Sequence, residues 1–309
     1  MRRVRTWMAV ATVAAIPCGC GATRVSTRTN IPAAARPVAL EASREELLEK
    51  YNAIARSVKS INATLELKPT AGSEYSGVIE EYHEVKAFLL AERPEKIRMI
   101  GQAPVIGKTI FDMTSDGQTF QVSIPSKNKF LVGQVAAERS SSKPIENLRP
   151  QHLLDALLWP EVQKGESVLE EEFNDEKGRY YVLTVLRGGY QTEILRKIWF
   201  DRADLQVARM QSYGPRGILV SDSHFADWQP LIGDQEQVAA TPGGVASFPR
   251  EIRLERPHDD YRLELAITKL MLNAEIPADR FELLQPAGSE LVNVGETRDE
   301  KKPPKDSKP

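Results

Sequence analysis

The sequence predicts a mainly β domain with few helices: an unclosed antiparallel barrel, or strongly curved sheet, with helices covering an apolar cavity. Three observations lead there. About a dozen short strand-like runs are separated by turn residues, which is too many for a flat sheet with open edges. Only two stretches carry helical signals. One strand, with Ile194, Leu195, Ile198, Trp199 and Phe200, is apolar on both faces, so something must cover each side.

Taken in order, Ser43 and Glu46 form a capping box, and Leu47, Leu48, Tyr51, Ile54, Ala55, Val58 and Ile61 follow at helical spacing. Strand patterns then cover 78–90, 97–101, 109–114, 119–124 and 129–132, with Ser115-Asp116-Gly117 as a hairpin turn. Pro150 to Trp159 reads as a second helix, since proline suits a first turn and Pro160 stops the run. A second group of strands covers 168–173, 180–186, 192–200, 205–213, 218–228, 248–255 and 261–273, with Gly188-Gly189 and Asp259-Asp260 at hairpin turns. Tyr261, Leu263, Leu265 and Ile267 alternate with polar residues, as do Ile252 and Leu254, so these strands have one wet face.

The 309 residues, 41% hydrophobic and 27% charged, fit one folded domain at 43–294. With a formal net charge of -2 there is no global positive field to attract nucleic acid, and none is expected as a partner. Residues 1–19 read as a lipoprotein signal peptide: Arg2, Arg3 and Arg5 precede an apolar run, Trp7 to Ile16, too short to span a bilayer. The only cysteines are Cys18 and Cys20. Gly19 provides the small residue needed before a cut at Cys20, whereas Pro17 before Cys18 does not, so Cys20 is the expected lipid acceptor. The match to a bacterial lipobox is incomplete, with Pro17 where Leu is usual and Cys18 where Ala or Ser is usual; an ordinary secretory signal or uncleaved anchor is the alternative. Residues 20–42 read as a flexible tether and 295–309 as a disordered charged tail.

Nothing in the sequence nominates an enzyme. There is no G-x-S-x-G elbow, P-loop, dinucleotide fingerprint or H-E-x-x-H motif. His83, His152, His224 and His258 have no metal-ligand spacing, and His83 and His224 read as surface or satisfied residues. Glu170, Glu171 and Glu172 are adjacent in a strand and so face opposite sides, which suits a solvated edge better than an acid-base pair. No catalytic residue, metal or cofactor is expected beyond covalent lipid on Cys20.

The opening helix, the strand leading into Ala91-Glu92-Arg93-Pro94-Glu95-Lys96-Ile97-Arg98-Met99, and Thr114-Ser115-Asp116-Gly117-Gln118-Thr119 resemble the family of the periplasmic lipoprotein carrier LolA and the outer-membrane receptor LolB. Phe248-Pro249-Arg250-Glu251-Ile252-Arg253-Leu254 and Asn273-Ala274-Glu275-Ile276-Pro277-Ala278-Asp279-Arg280-Phe281 resemble its last strands and closure, so the likeness covers 43–294. It implies an unclosed barrel whose helical lid covers a cavity for lipoprotein acyl chains. Arg93 matches the carrier's lid-holding arginine; the alternative is a strand-end surface arginine. Val105 and Ile106, in Pro104-Val105-Ile106-Gly107, stand where the receptor has a protruding apolar loop, though this loop is one residue longer; the alternative is packing into the barrel mouth.

The expected function is a membrane-anchored envelope lipoprotein that binds acyl chains or lipoproteins, in sorting or outer-membrane insertion, with a periplasmic carrier as a possible partner. An envelope sensor or assembly scaffold on the same fold is the alternative. Gly21 after Cys20, where some bacteria place Asp to retain lipoproteins in the inner membrane, favours the outer membrane.

Overall fold

The computed structural model describes residues 38–73, 78–81, 83–136, 149–176, 178–231 and 247–294. The expected signal peptide, Cys18, Cys20, the tether up to residue 37 and the tail at 295–309 lie outside the described residues. Among the described residues no helix is long and apolar enough to cross a membrane.

The domain opens with α1 (Arg44–Ser57). The capping box forms: the Ser43 hydroxyl accepts from the Glu46 amide, and the Glu46 carboxylate accepts the Ser43 amide at 2.7 Å. Such a cap contributes about 1 kcal/mol. Leu47, Tyr51 and Ala55, one turn apart, are buried on one face. The helix ends at Val58, which is already extended, and Ile61 belongs to the next strand.

That strand, β1 (Ser60–Ser73), lies where the helical reading overran and where no strand was expected. The cause is Ile61, which fits both periods. Read two by two, Ile61, Ala63, Leu65 and Leu67 face the core, while Asn62 and Glu66 face solvent. The strand expected at 78–90 divides into β2 (Val78–Glu81) and β3 (Val85–Glu92). β4 (Lys96–Gln102), β5 (Thr109–Ser115), β6 (Thr119–Ile124) and β7 (Lys129–Gln134) fall close to their expected places. The turn between β5 and β6 uses Gly117 at φ 92°, and a Cβ there would collide with Glu95 at 2.1 Å.

The second helix begins as a 3-10 turn at Pro150–Leu153 and becomes α-helical only over α2 (Leu154–Leu157). Then come β8 (Glu166–Asn174), β9 (Arg179–Arg187), β10 (Glu193–Asp201), β11 (Val207–Tyr213), β12 (Leu219–Pro230), β13 (Ser247–Arg256), β14 (Tyr261–Leu272) and β15 (Glu290–Val294). β15 was not expected; it pairs parallel with β7. All fifteen strands form one sheet in the order β15-β7-β6-β5-β4-β3-β1-β14-β13-β12-β11-β10-β9-β8, with β2 on the far end of β1.

The sheet is therefore mainly antiparallel and unclosed, with β15 and β8 as its two edges. β8 is blunted by charge: Glu170, Glu171 and Glu172 are exposed, with Glu172 bonded to Arg202 at 2.7 Å and Glu171 3.6 Å from Lys197. The two apolar faces of β10 are covered differently. Ile198 and Phe200 are buried in the core, whereas Trp199 is covered on the outer face by the edges of Phe173 and Tyr180 and by the Arg209 guanidinium.

The register of β1 yields a direct comparison. Leu65→Ala is expected to lower unfolding stability by about 2–5 kcal/mol through lost burial and a residual cavity. Glu66→Ala, one residue away on the wet face, should stay within about 0.5 kcal/mol. Urea denaturation of both variants measures the difference, and equal losses would refute the assigned faces.

Candidate functional site

The inner face of the sheet carries large apolar side chains, among them Leu65, Leu89, Met99, Met210, Phe225 and Ile252. Across it lies the segment Pro150–Val162, whose Leu153, Leu154, Leu157, Leu158 and Trp159 are all buried. Trp159 is its largest buried side chain. The indole stacks on Tyr51 of α1 at 5.4 Å and 11°, and meets Phe225 and Trp228 edge-on at 5.1 and 6.0 Å. The segment acts as a plug: its side chains occupy the space that the sheet's concave face leaves open.

Polar side chains grip the end of the plug by its backbone. Arg93, immediately after β3, donates from Nε to the Val58 carbonyl at 2.8 Å. Its Nη2 donates to the Ala55 carbonyl at 2.7 Å and the Trp159 carbonyl at 2.8 Å. Helix C-termini leave carbonyls without intrahelical partners, and a cation there also opposes the helix dipole. Arg93 thus caps α1 and ties it to the plug with one planar group. Burial pulls its pKa down, but a guanidinium holds its charge throughout the physiological range.

A second arginine reaches the next residue from the other half of the sheet. Arg196 of β10 donates to the Pro160 carbonyl at 2.7 Å and lies 3.6 Å from Glu166. The Tyr51 hydroxyl donates to the same Pro160 carbonyl at 2.8 Å. Burial pushes that phenol up to about 12, so it remains a donor at any physiological pH. Asn52 completes the grip, accepting the Val162 amide at 2.9 Å and donating to the Val162 carbonyl at 3.3 Å. The other end of the plug is held by Gln151, which accepts from Ser115 at 2.9 Å and donates to the Glu95 carbonyl at 3.3 Å.

The interior is not uniformly oily. Arg196 pairs in register with Ser212 and Ser212 with Ser221, a polar row across the inner face of β10, β11 and β12. Outside the plug, a groove of about 740 Å³ is lined by Arg93, Arg56, Glu92, Glu161 and Asn273 among others, so water reaches the arginine latch.

Of the residues singled out from sequence, Arg93 sits at this junction of α1, β3 and the plug. Val105 and Ile106 are elsewhere, in the turn between β4 and β5, where they are 95% and 74% exposed and do not pack into the barrel mouth. The turn closes through Gly107 at φ 64°, whose amide bonds to the Ala103 carbonyl at 3.0 Å. His224 contacts Asp222 at 3.3 Å on the outer face, and Asp222 is also held by Arg209. Sequence reasoning passed over Arg196, Asn52 and the special place of Trp159. The signal for Arg196 was present: a lone arginine at an inward position of a doubly apolar strand has to find acceptors inside.

Arg93→Ala removes three charge-assisted hydrogen bonds, each contributing about 1.5–3 kcal/mol. Exchange protection of the amides at 154–159 should fall at least about tenfold, measured by hydrogen exchange with mass spectrometry. Arg93→Lys should lose protection too, because an ammonium does not reproduce the planar fork. Unchanged protection in Arg93→Ala would mean that the plug is held without it.

No family model matches the chain, and no curated protein matches it in sequence. Solved structures do resemble it. A LolA superfamily protein from Nitrosomonas europaea is 13% identical, with a TM-score of 0.44 over 79% of this chain and 99% of that one. A DUF1329 family protein from Desulfovibrio piger is 13% identical, with a TM-score of 0.45 over 75% and 95%. A domain from Vibrio parahaemolyticus, provisionally assigned to outer-membrane lipoprotein sorting, is 12% identical, with a TM-score of 0.45 over 77% and 97%. The description of this chain as a single unclosed sheet with few helices stands on its own strand order.

Proposed function

We propose that the protein is a membrane-anchored, non-enzymatic component of the cell envelope that takes up acyl chains, free or on lipoproteins, between the concave sheet and the plug. Lipoprotein sorting or outer-membrane insertion would use such an activity. The observation that carries this reading is the plug itself: an apolar segment laid on an apolar concave face and held at its backbone by Arg93, Arg196, Tyr51 and Asn52.

The magnitudes support exchange of plug for ligand. Each methylene moved from water into an apolar site contributes about 0.8 kcal/mol, so a chain of about a dozen carbons gains on the order of 10 kcal/mol. A few charge-assisted hydrogen bonds at about 1.5–3 kcal/mol each are of comparable size. Leucines and Trp159 lifted off the sheet can cover the incoming chain rather than meet water, which reduces the cost of opening. Transfer then follows relative hydrophobicity and needs no covalent step.

Two further parts fit this function. Val105 and Ile106 project as an apolar tip suited to a lipid surface or to acylated cargo. Lipid on Cys20 would keep the domain at a membrane, in our reading the outer one, within reach of a periplasmic carrier. Cys20→Ala should release the protein from membranes on fractionation while Cys18→Ala should not; release by Cys18→Ala alone would assign the lipid to the other cysteine.

The scaffold reading has its own supporting observation, since Trp159 and the leucines already fill the concave face. Organic extraction and mass spectrometry of full-length protein separate the two. Acyl lipid or acylated peptide should be recovered in excess of the covalent anchor, and Arg93→Ala should change its amount. No recovery from either protein favours the scaffold.

A further inference from the structure

We propose that His152 makes closure of the plug sensitive to pH, so that protonation of its imidazole releases Pro150–Val162 from the sheet. This rests on reading the segment as a movable cover. His152 belongs to the 3-10 turn that begins the plug, one residue before the buried Leu153 and seven before Trp159.

Both ring nitrogens are engaged. Nδ1 lies 2.5 Å from the Tyr261 hydroxyl of β14, and Nε2 lies 3.3 Å from Nη2 of Arg256 at the end of β13. A guanidinium can only donate, so Nε2 must offer its lone pair, and the single ring proton belongs on Nδ1, donated to Tyr261. A second proton would sit on Nε2 and point at an arginine N–H. The neutral ring is therefore the form that this packing accepts.

The surrounding charges do not rescue the cation. Arg256 faces His152 from β13, and Arg149 lies just ahead of the 3-10 turn with its guanidinium over the Phe120 ring. Asp259, in the β13–β14 turn, is taken by Arg256 at 2.8 Å. Tyr261 is neutral, its pKa pushed up chiefly by burial. Burial first, then Arg256 and Arg149, hold the His152 pKa well below the usual histidine value. Asp155 of α2 is the remaining charged group on the plug beside it, and senses Arg196, Arg256 and Glu95. Asp155 keeps an exposed edge, but desolvation by the protein packed around it raises its pKa, so acid relieves Asp155 and opposes the histidine effect.

The sign follows by linkage. With the plug open, His152 titrates near its ordinary value of about 6.5; with the plug closed, it titrates well below. Closure is at full strength above about pH 6.5 and is lost as pH falls toward the depressed value, by up to about tenfold in the closed-to-open ratio per pH unit. Asp155→Asn removes the opposing group.

The test is hydrogen exchange on full-length protein from pH 7.5 to 5.5, corrected for intrinsic rates. In Asp155→Asn, protection of 153–159 should fall about tenfold between pH 7.5 and 5.5 while β1 holds, and in Asp155→Asn with His152→Gln it should not change with pH. An equal fall without His152, a simultaneous loss in β1, or no fall would overturn the switch. Arg93→Ala at pH 7.5 separates the two claims: looser plug amides there with no pH response sink only the switch, while unchanged amides sink the movable plug. Imidazole NMR of the unmodified protein at pH 8 needs no variant, and a proton found on Nε2 instead of Nδ1 would also overturn the proposal.

Discussion

The structure depends on how buried backbone carbonyls find donors. A sheet this large satisfies its own interior, but the end of α1 and the irregular stretch after α2 cannot. Arg93 serves both at once, with three N–H groups directed to Val58, Ala55 and Trp159. Arg196, Tyr51 and Asn52 continue the pattern through Pro160 and Val162. Without these donors, the segment that fills the concave face would bury unpaired carbonyls, at about 1–3 kcal/mol for each group.

This arrangement divides labour between affinity and direction. Apolar burial of Leu153, Leu154, Leu157, Leu158 and Trp159 supplies most of the attraction between plug and sheet, and it is not directional, so in the proposed function another apolar chain can take its place. The carbonyl clamps are directional and set the closed geometry. Solvent reaches the Arg93 side through the adjoining groove, so in the proposed opening water is at hand to replace its carbonyl partners.

Much of the sheet was legible because period-two patterning survives in strands with one wet face, as in β13 and β14. β1 was hidden because Ile61 continues the spacing of α1, so a helical reading ran past the true end at Ser57. β15 was hidden for a different reason: Leu291, Val292 and Val294 are apolar, but a five-residue edge strand, paired on one side and mostly exposed, is too short to show a period. At the site, Arg93 was marked by its likeness to the lid-holding arginine of the resembled carrier, but its three acceptors are backbone atoms of two segments remote in sequence, which residue identity does not encode. Asn52 was missed for the same reason, whereas Arg196, an inward arginine on a strand apolar on both faces, carried a readable signal that did not name its acceptor. Exposure of Val105 and Ile106 was also undecided by sequence, since an apolar pair in a turn can fold inward or outward.

The central claim is that the concave face is shared, at different times, by the plug and an acyl chain. Placing a photoactivatable residue at Met210, which faces the interior beneath Tyr51, tests it most directly. Irradiation in the presence of radiolabelled palmitoylated peptide should yield crosslinks to the acyl chain that rise when the Arg93 latch is removed. Crosslinks confined to the protein's own chain, with and without the latch, would contradict the account.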